Sequence, residues 1–254
     1  MYRNLFLALA ALMFVSWRMS VDAYRSVPPS ELLPAVKGEP LQTELLSGDA
    51  APGCARDGYS WSFEPLYRYD ITGYVFGVSH KLASELKGVM AADLGLLWGE
   101  NARDGLYRHT KLRVRMDWFV ASWKNGYHFN TDAAANTHIV TCDPGVYEKI
   151  RSVRMGDQVR LRGLLVGVNI SRGGGAQRMT ARSSVSRTDT RGGACEILYI
   201  AGPGDIEILR RGPFVWSMLM KLSGAGLIIL LIAWALELRR RVKKEMDEAA
   251  KNDF

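Results

Sequence analysis

Three cysteines and four histidines are the side chains best suited to chemistry in this 254-residue chain. Neither the cysteines nor the histidines have the short spacings of a zinc site, so the sequence predicts no metal and no cofactor. Cys195 is a candidate nucleophile only if the fold brings a base beside it, and His138 is the candidate base. Asp93, which apolar neighbours are expected to half-bury, and Glu100 are the carboxylates considered with them. No complete catalytic motif is present.

The cysteines also bear on the redox compartment. In an oxidising compartment two of them can pair and leave one free. Cys142 and Cys195 both fall at the edges of predicted strands, which favours a disulfide between them. Cys54, in a predicted loop, is the competing partner, and three reduced cysteines are the remaining alternative.

A second candidate site is electrostatic. Residues 149–191 carry ten Lys and Arg side chains but only two acidic ones, within a chain of net charge +7. Because a guanidinium binds carboxylate or phosphate through paired hydrogen bonds, this stretch predicts a surface for an acidic partner, an anionic lipid or a glycan. The alternative is that these arginines pair with acidic side chains elsewhere in the domain. The candidate binding residues are Arg160, Arg162, Arg172, Arg178, Arg182 and Arg187.

Two apolar runs flank a polar middle. Residues 214–236 are interrupted only by Lys221 and are long enough to cross a hydrocarbon core of ~30 Å. Five basic residues follow between 239 and 244, which predicts a cytoplasmic C-terminus. Residues 5–17 are shorter and fit either a signal anchor or a cleaved signal peptide. Either interpretation places the main domain in the bacterial periplasm, held at the inner membrane.

Small residues within the second apolar run predict a helix-packing face. Ser223, Gly224 and Gly226 would let another helix approach closely. We therefore expect either a membrane-protein partner or a homo-oligomer formed through this helix.

The polar middle divides by composition. Residues 24–65 hold six of the nine prolines and predict an extended segment. Residues 66–212 alternate apolar and polar positions in the order strand, strand, strand, short helix, strand, strand. We therefore predict a mainly β fold: a small five-stranded OB-like Greek-key barrel with a short helix, flanked by N- and C-terminal transmembrane helices. The predicted domains are 1–23 (signal anchor or signal peptide), 24–65 (Pro-rich segment), 66–212 (periplasmic OB-like β-barrel), 213–238 (transmembrane helix) and 239–254 (cytoplasmic basic tail).

The segment 90–107 is predicted to be a partly buried loop or short strand. Asp93, Leu94, Trp98 and Gly99 would form an ordered loop within it, either as a partner-facing edge or as a plug of the core. Nothing in its spacing matches a known catalytic pattern.

Several short motifs occur together as a block. They are residues 93–99, Asn136-Thr137-His138-Ile139, the Gly-Asp-Gln-Val strand start at 156–159, the 183–189 stretch and Gly192-Gly193-Ala194-Cys195-Glu196. The block resembles a group of uncharacterised bacterial membrane-anchored proteins with an OB-like exported domain. The resemblance extends over residues 66–205 and implies architecture only, since it brings no activity.

These patterns predict a non-enzymatic, membrane-tethered periplasmic binding or scaffold domain. It would be an accessory subunit of an envelope assembly, with envelope or membrane proteins and inner-membrane lipids as partners. The enzymatic alternative is an envelope hydrolase acting on glycan or peptide, which requires Asp93, Glu100, His138 or Cys195 to converge in a pocket. A single-stranded nucleic-acid-binding OB-fold is a third alternative. The export of the domain and its lack of stacking aromatics on the basic strand argue against nucleic acid.

Overall fold

The computed structural model describes residues 2–80, 88–115, 118–173, 178–189 and 195–252. The chain divides into two compact units, one made of Met1–Ala23 with Phe214–Phe254 and the other of Tyr24–Pro213. The described helices are α1 (Tyr2–Ser20), α2 (Gly99–Arg103), α3 (Pro144–Arg151) and α4 (Val215–Asn252). The described strands are β1 (Leu41–Thr43), β2 (Cys54–Arg56), β3 (Tyr59–Ser79), β4 (Met90–Leu97), β5 (Thr110–Val114), β6 (Phe119–Trp123), β7 (Ala134–Val140), β8 (Gln158–Arg172), β9 (Arg178–Arg182), β10 (Glu196–Tyr199) and β11 (Ile206–Arg210).

The first unit is a pair of helices. Within the described residues, α4 is the helix long and apolar enough to cross a membrane, over Val215–Met246. The glycines of α4 lie against α1. A Cβ added to Gly226 would stand 3.3 Å from Leu9, and one added to Gly224 would stand 3.8 Å from Met13. The predicted helix-packing face, with buried Ser223 beside these glycines, therefore contacts the chain's own N-terminal helix.

The second unit is mainly β. Its two longest strands, β3 and β8, are antiparallel from Tyr59 opposite Arg172 to Tyr74 opposite Gln158. The pairing continues from β3 to β4, from β4 to β7, from β7 to β10 and from β10 back to β8. Only the β7–β10 pair in this circuit is parallel. Five strands thus pair in a circuit that returns to its starting strand.

Helix α3 connects β7 to β8, as predicted. The Asp143 carboxylate accepts hydrogen bonds from the backbone N–H of Gly145 at 2.6 Å and of Val146 at 3.4 Å, and Pro144 occupies the first turn. Val146 and Ile150 bury the inner face of the helix against the main core. That core is formed by large apolar side chains of the paired strands, among them Leu94, Leu96, Ile139, Leu161 and Leu198.

The segment 90–107 begins with a strand, one of the two alternatives that the sequence left open. Residues 90–97 form the strand β4, in which every residue is buried. Because both faces of β4 are covered, it lacks the alternation that marks a half-exposed strand. Further along the chain, β5 and β6 form an antiparallel pair.

The Pro-rich segment packs on the domain. Tyr24, Leu32 and Val36 are buried in a second apolar cluster with residues of β3 and β5. The Tyr24 hydroxyl donates to the Thr110 carbonyl at 3.0 Å and accepts from the backbone N–H of Leu112 at 2.7 Å. The domain boundary expected between residues 65 and 66 falls inside β3, since that strand begins at Tyr59.

Candidate active site

Three adjacent strands bring together the side chains that the sequence offered singly as candidates. Asp93 on β4 is directly opposite His138 on β7 in the antiparallel register. On the other side of β7, Ile197 of β10 is paired with His138 in the parallel register. Cys195 lies just before the first residue of β10. Neighbouring strands stand about 4.8 Å apart, so this order places an imidazole between a carboxylate and a thiol.

The three side chains form a hydrogen-bonded chain. His138 Nδ1 lies 2.5 Å from Asp93 Oδ1, and its N–H donates to that carboxylate. A side-chain hydrogen bond also joins His138 to Cys195. Asp93 is fully buried, and Cys195 is a buried cysteine outside the disulfide. A thiol, an imidazole and a carboxyl group are therefore in contact, which are the groups that thiol-based nucleophilic catalysis uses.

The surroundings of His138 keep its imidazole protonated. Burial lowers the pKa of His138, but its hydrogen bonds to Asp93 and Cys195 and its electrostatic interaction with both groups outweigh burial and raise the pKa to about 9. An ordinary histidine has a pKa of 6.5. At neutral pH the site therefore holds an imidazolium between the Asp93 carboxyl group and the Cys195 sulfur.

Cys195 opens onto a cavity of about 270 Å³. One part of its wall is aromatic and is formed by Trp98, Trp118, Phe119 and Trp123. The polar part includes Asn136, Thr131, Asp132, Ser186, Arg187, Asp189 and Glu196. The thiol thus has space in front of it for a small or extended substrate group that is partly apolar.

Glu196, next to the thiol, is held by a closed set of hydrogen bonds. Its Oε1 accepts from the Tyr69 hydroxyl at 2.6 Å and from Arg187 Nη1 at 2.7 Å. Its Oε2 accepts from the Thr137 hydroxyl at 2.8 Å. The Arg187 guanidinium also stacks 5.1 Å from the centre of the Trp98 ring. This network fixes both Arg187 and Trp98 at the cavity wall.

The four residues predicted to form one ordered loop, Asp93, Leu94, Trp98 and Gly99, lie in different structural environments. Asp93 and Leu94 belong to β4, with Leu94 in the main core. The indole N–H of Trp98 donates to Glu39 at 2.9 Å, and its ring lines the cavity. Gly99 has a φ of +55° where the chain turns into α2, a conformation that favours glycine.

Glu100 lies outside the thiol site. Its carboxylate accepts from Asn130 Nδ2 at 2.9 Å and contacts His128 Nε2 at 3.3 Å. The hydrogen bonds from Asn130 and His128 lower the pKa of this exposed carboxyl. Of the four residues whose convergence would mark an enzyme, three meet and Glu100 does not.

The predicted arginine surface is largely paired within the domain. Arg160 forms two hydrogen bonds with Asp70, at 2.9 and 2.6 Å. The other contacts are Arg162 with Glu207 at 3.2 Å, Arg182 with Glu64 at 3.1 Å, Arg187 with Glu196 at 2.7 Å, and Arg172 over the Tyr59 ring at 5.1 Å. Arg178 lies in β9, and its side chain is outside the described residues. These partners match the alternative in which acidic side chains of the same domain neutralise the arginines.

The disulfide differs from the expected one. Cys54 is bonded to Cys142, and Cys195 lies outside the disulfide, so the predicted pairing of Cys142 with Cys195 is wrong. The parallel register explains the error, since Glu196 is opposite Thr137. Cys195 therefore lies near the start of β7, whereas Cys142 follows its end, about 20 Å further along at 3.3 Å per residue.

Sequence reasoning missed Asn136 and Glu196 as site residues. A single charged residue between Cys195 and the apolar Ile197-Leu198 was the available signal for Glu196. Asn136 gave none, because one amide in a buried strand has no characteristic spacing.

No group of three His, Cys, Asp or Glu side chains in the described parts of the chain is arranged to hold a metal ion. Comparisons with protein-family models, with curated proteins and with solved structures find no match. The chemistry of the site therefore has to be argued from its geometry.

Proposed function

We propose that this chain is a membrane-anchored thiol enzyme that transfers acyl groups to water or to an amine, with Cys195 as nucleophile, His138 as acid and base, and Asp93 as the group that orients His138. The observation that carries the proposal is the hydrogen-bonded chain of these three side chains beside a cavity. The scaffold role predicted from the sequence requires no such arrangement.

The chemistry follows from the charges. The imidazolium of His138 stabilises a thiolate on Cys195, and that sulfur attacks the acyl carbon of an amide or ester. A C–S bond forms, the bond from the acyl carbon to the leaving nitrogen or oxygen breaks, and His138 gives its proton to the leaving group. Neutral His138 then takes a proton from water, whose oxygen attacks the thioester. The carboxylic acid leaves, and the thiolate and imidazolium are restored.

The geometry favours acyl transfer over glycan cleavage. Glycoside hydrolysis uses two carboxyl groups that flank the scissile bond. Asp93 is fully buried and bonded to His138, and Glu100 belongs to a separate exposed cluster. Of the substrates considered for an envelope hydrolase, we therefore propose peptides, amides or esters and not glycans.

We also propose that the catalytic domain is an OB-like barrel outside the cytoplasm. The circuit of five paired strands, the parallel β7–β10 pair and the position of α3 between β7 and β8 support the barrel. The basic stretch after the apolar part of α4 supports a cytoplasmic C-terminus. The Cys54–Cys142 disulfide supports an oxidising compartment.

The experiment is turnover of matched peptide amides and esters by the detergent-purified full chain. Cys195→Ser should abolish turnover, and His138→Ala should reduce it by at least about a hundredfold, as loss of an acid–base catalyst does. His128→Ala is the matched control, because that histidine contacts Glu100 and should leave turnover unchanged. Turnover that survives Cys195→Ser would refute the proposal.

A binding or scaffold role is the second candidate. Exposed aromatic side chains favour it, since Trp118 is 51% exposed and Trp123 is 43% exposed. In-cell crosslinking followed by purification through the C-terminal tail tests it. A stoichiometric envelope partner that is lost in the Trp118→Ser, Trp123→Ser double variant would support this role, and an unchanged partner set would contradict it.

A further inference from the structure

Asn136 lines the cavity and carries a buried hydrogen-bond acceptor that is unused. Its side chain is 1% exposed, and its Nδ2 donates to the Arg115 carbonyl at 2.9 Å. That hydrogen bond fixes the orientation of the amide, so Oδ1 is the acceptor that remains. Oδ1 is buried and has no hydrogen-bond partner among the described residues. A buried acceptor without a donor is unfavourable, and a donor supplied by a ligand would relieve it.

The strand register places this acceptor beside the nucleophile. Glu196 is opposite Thr137 in the parallel pair, so the preceding residues, Cys195 and Asn136, stand at the same level on neighbouring strands. Side chains two residues apart on a strand point to the same face, so Asn136 and His138 share one face of β7. Cys195 and Asn136 both line the same cavity.

The opposite part of the wall is suited to an apolar group. Trp98, Trp118 and Trp123 line it. Arg187, which lines the cavity, is paired with Glu196 at 2.7 Å. An uncharged group with a large apolar surface therefore matches the cavity better than an anionic one.

We propose that the cavity selects amides, with Asn136 Oδ1 accepting a hydrogen bond from the substrate N–H next to the acyl carbon while the tryptophans hold an aromatic or large apolar substituent. The inference rests on the proposed thiol chemistry and names its substrate class. An ester carries an oxygen where the amide carries N–H. The lone pairs of that ester oxygen would face the lone pairs of Asn136 Oδ1. The ester would lose the hydrogen bond and leave Oδ1 unpaired.

Two electrophiles test this without a known substrate. N-benzyl-2-chloroacetamide and benzyl 2-chloroacetate share the aromatic group and differ in N–H against oxygen. With either one, the Cys195 sulfur forms a bond to the CH₂ carbon and chloride leaves. Cys195 is the thiol available, since Cys54 and Cys142 are bonded to each other. The rate constants are measured by intact mass spectrometry on the full chain in detergent, and glutathione supplies the intrinsic reactivity of each probe.

The amide-to-ester rate ratio of the chain should exceed that of glutathione by about tenfold, the effect of one hydrogen bond. Asn136→Leu should bring the ratio to that of glutathione. Thr131→Ala, another change on the cavity wall, should retain the preference. Because the wild-type ratio is informative on its own, the test does not depend on the folding of Asn136→Leu.

Failure of this inference is distinct from failure of the proposed function. Amide selection would be overturned if the wild-type amide-to-ester rate ratio equalled that of glutathione. If the rate of Cys195 labelling still fell in His138→Ala, the proposed thiol chemistry would stand. If His138→Ala left the rate of Cys195 labelling unchanged with both probes, the proposed thiol chemistry itself would be overturned.

Discussion

Asp93→Asn is the substitution that most sharply isolates the electrostatics of the site. It keeps the shape of the side chain but removes the negative charge that His138 Nδ1 contacts at 2.5 Å. Burial of His138 lowers its pKa, and Asp93 is the first of the groups that raise it. Without the carboxylate, burial is opposed only by Cys195, so the pKa of His138 should fall towards or below its ordinary value.

The size of the effect follows from the site. The pKa of His138 is about 9 in the folded chain against 6.5 for an ordinary histidine, a difference equivalent to about 3 kcal/mol in favour of the imidazolium. Because the folded-state pKa is raised above the unfolded one, this stabilisation is fully present below pH 6.5 and is lost as the pH rises to about 9. The wild-type unfolding free energy should therefore decline across this window, and that of Asp93→Asn should not.

Two assays check the prediction. NMR of the histidine-labelled full chain in detergent follows the titration of His138, and a His138→Gln chain assigns its signal among the four histidines. Thermal unfolding from pH 6 to pH 9.5 follows the stability. A wild-type His138 that titrates below pH 7, or an identical titration in Asp93→Asn, would refute the electrostatic reasoning.

Three further substitutions test the surrounding structure. Cys54→Ser should lower the unfolding free energy by about 4 kcal/mol, because the disulfide with Cys142 spans 88 residues; chemical denaturation with and without reductant measures this loss. Gly163→Ala should destabilise the domain by at least about 2 kcal/mol in the same assay, because its Cβ would collide with a backbone carbonyl of β10. A Gly226→Leu chain should lose the packing of α4 on Leu9, and a crosslink between cysteines placed in the two helices should disappear.

Some elements of the fold can be predicted from the sequence and others cannot. The Asp143-Pro144 cap predicts α3 because a helix start depends on adjacent residues. Alternation along β8 is visible for a similar reason, since its partly exposed positions Arg160 and Arg162 interrupt buried ones. In contrast, β4 is buried throughout and presents no period to detect.

The site depends on strand pairing, which a single sequence does not specify. Asp93 and His138 are 45 residues apart in the chain, and only the antiparallel β4–β7 register makes them neighbours. Cys195 joins them through the parallel β7–β10 pair, and the same register separates it from Cys142. The residues could be named as candidates from their chemistry, but their contact, the disulfide and the role of Asn136 required the fold.

The measurement that tests the central claim most directly is the rate at which iodoacetamide alkylates Cys195 at pH 7 in the full chain, in His138→Ala and in the matched His128→Ala control. If His138 activates the thiol, His138→Ala should slow alkylation by at least about tenfold, and His128→Ala should match the wild type. Equal rates in all three chains, with the Cys54–Cys142 disulfide intact, would show that Cys195 is an ordinary buried thiol and would contradict the account.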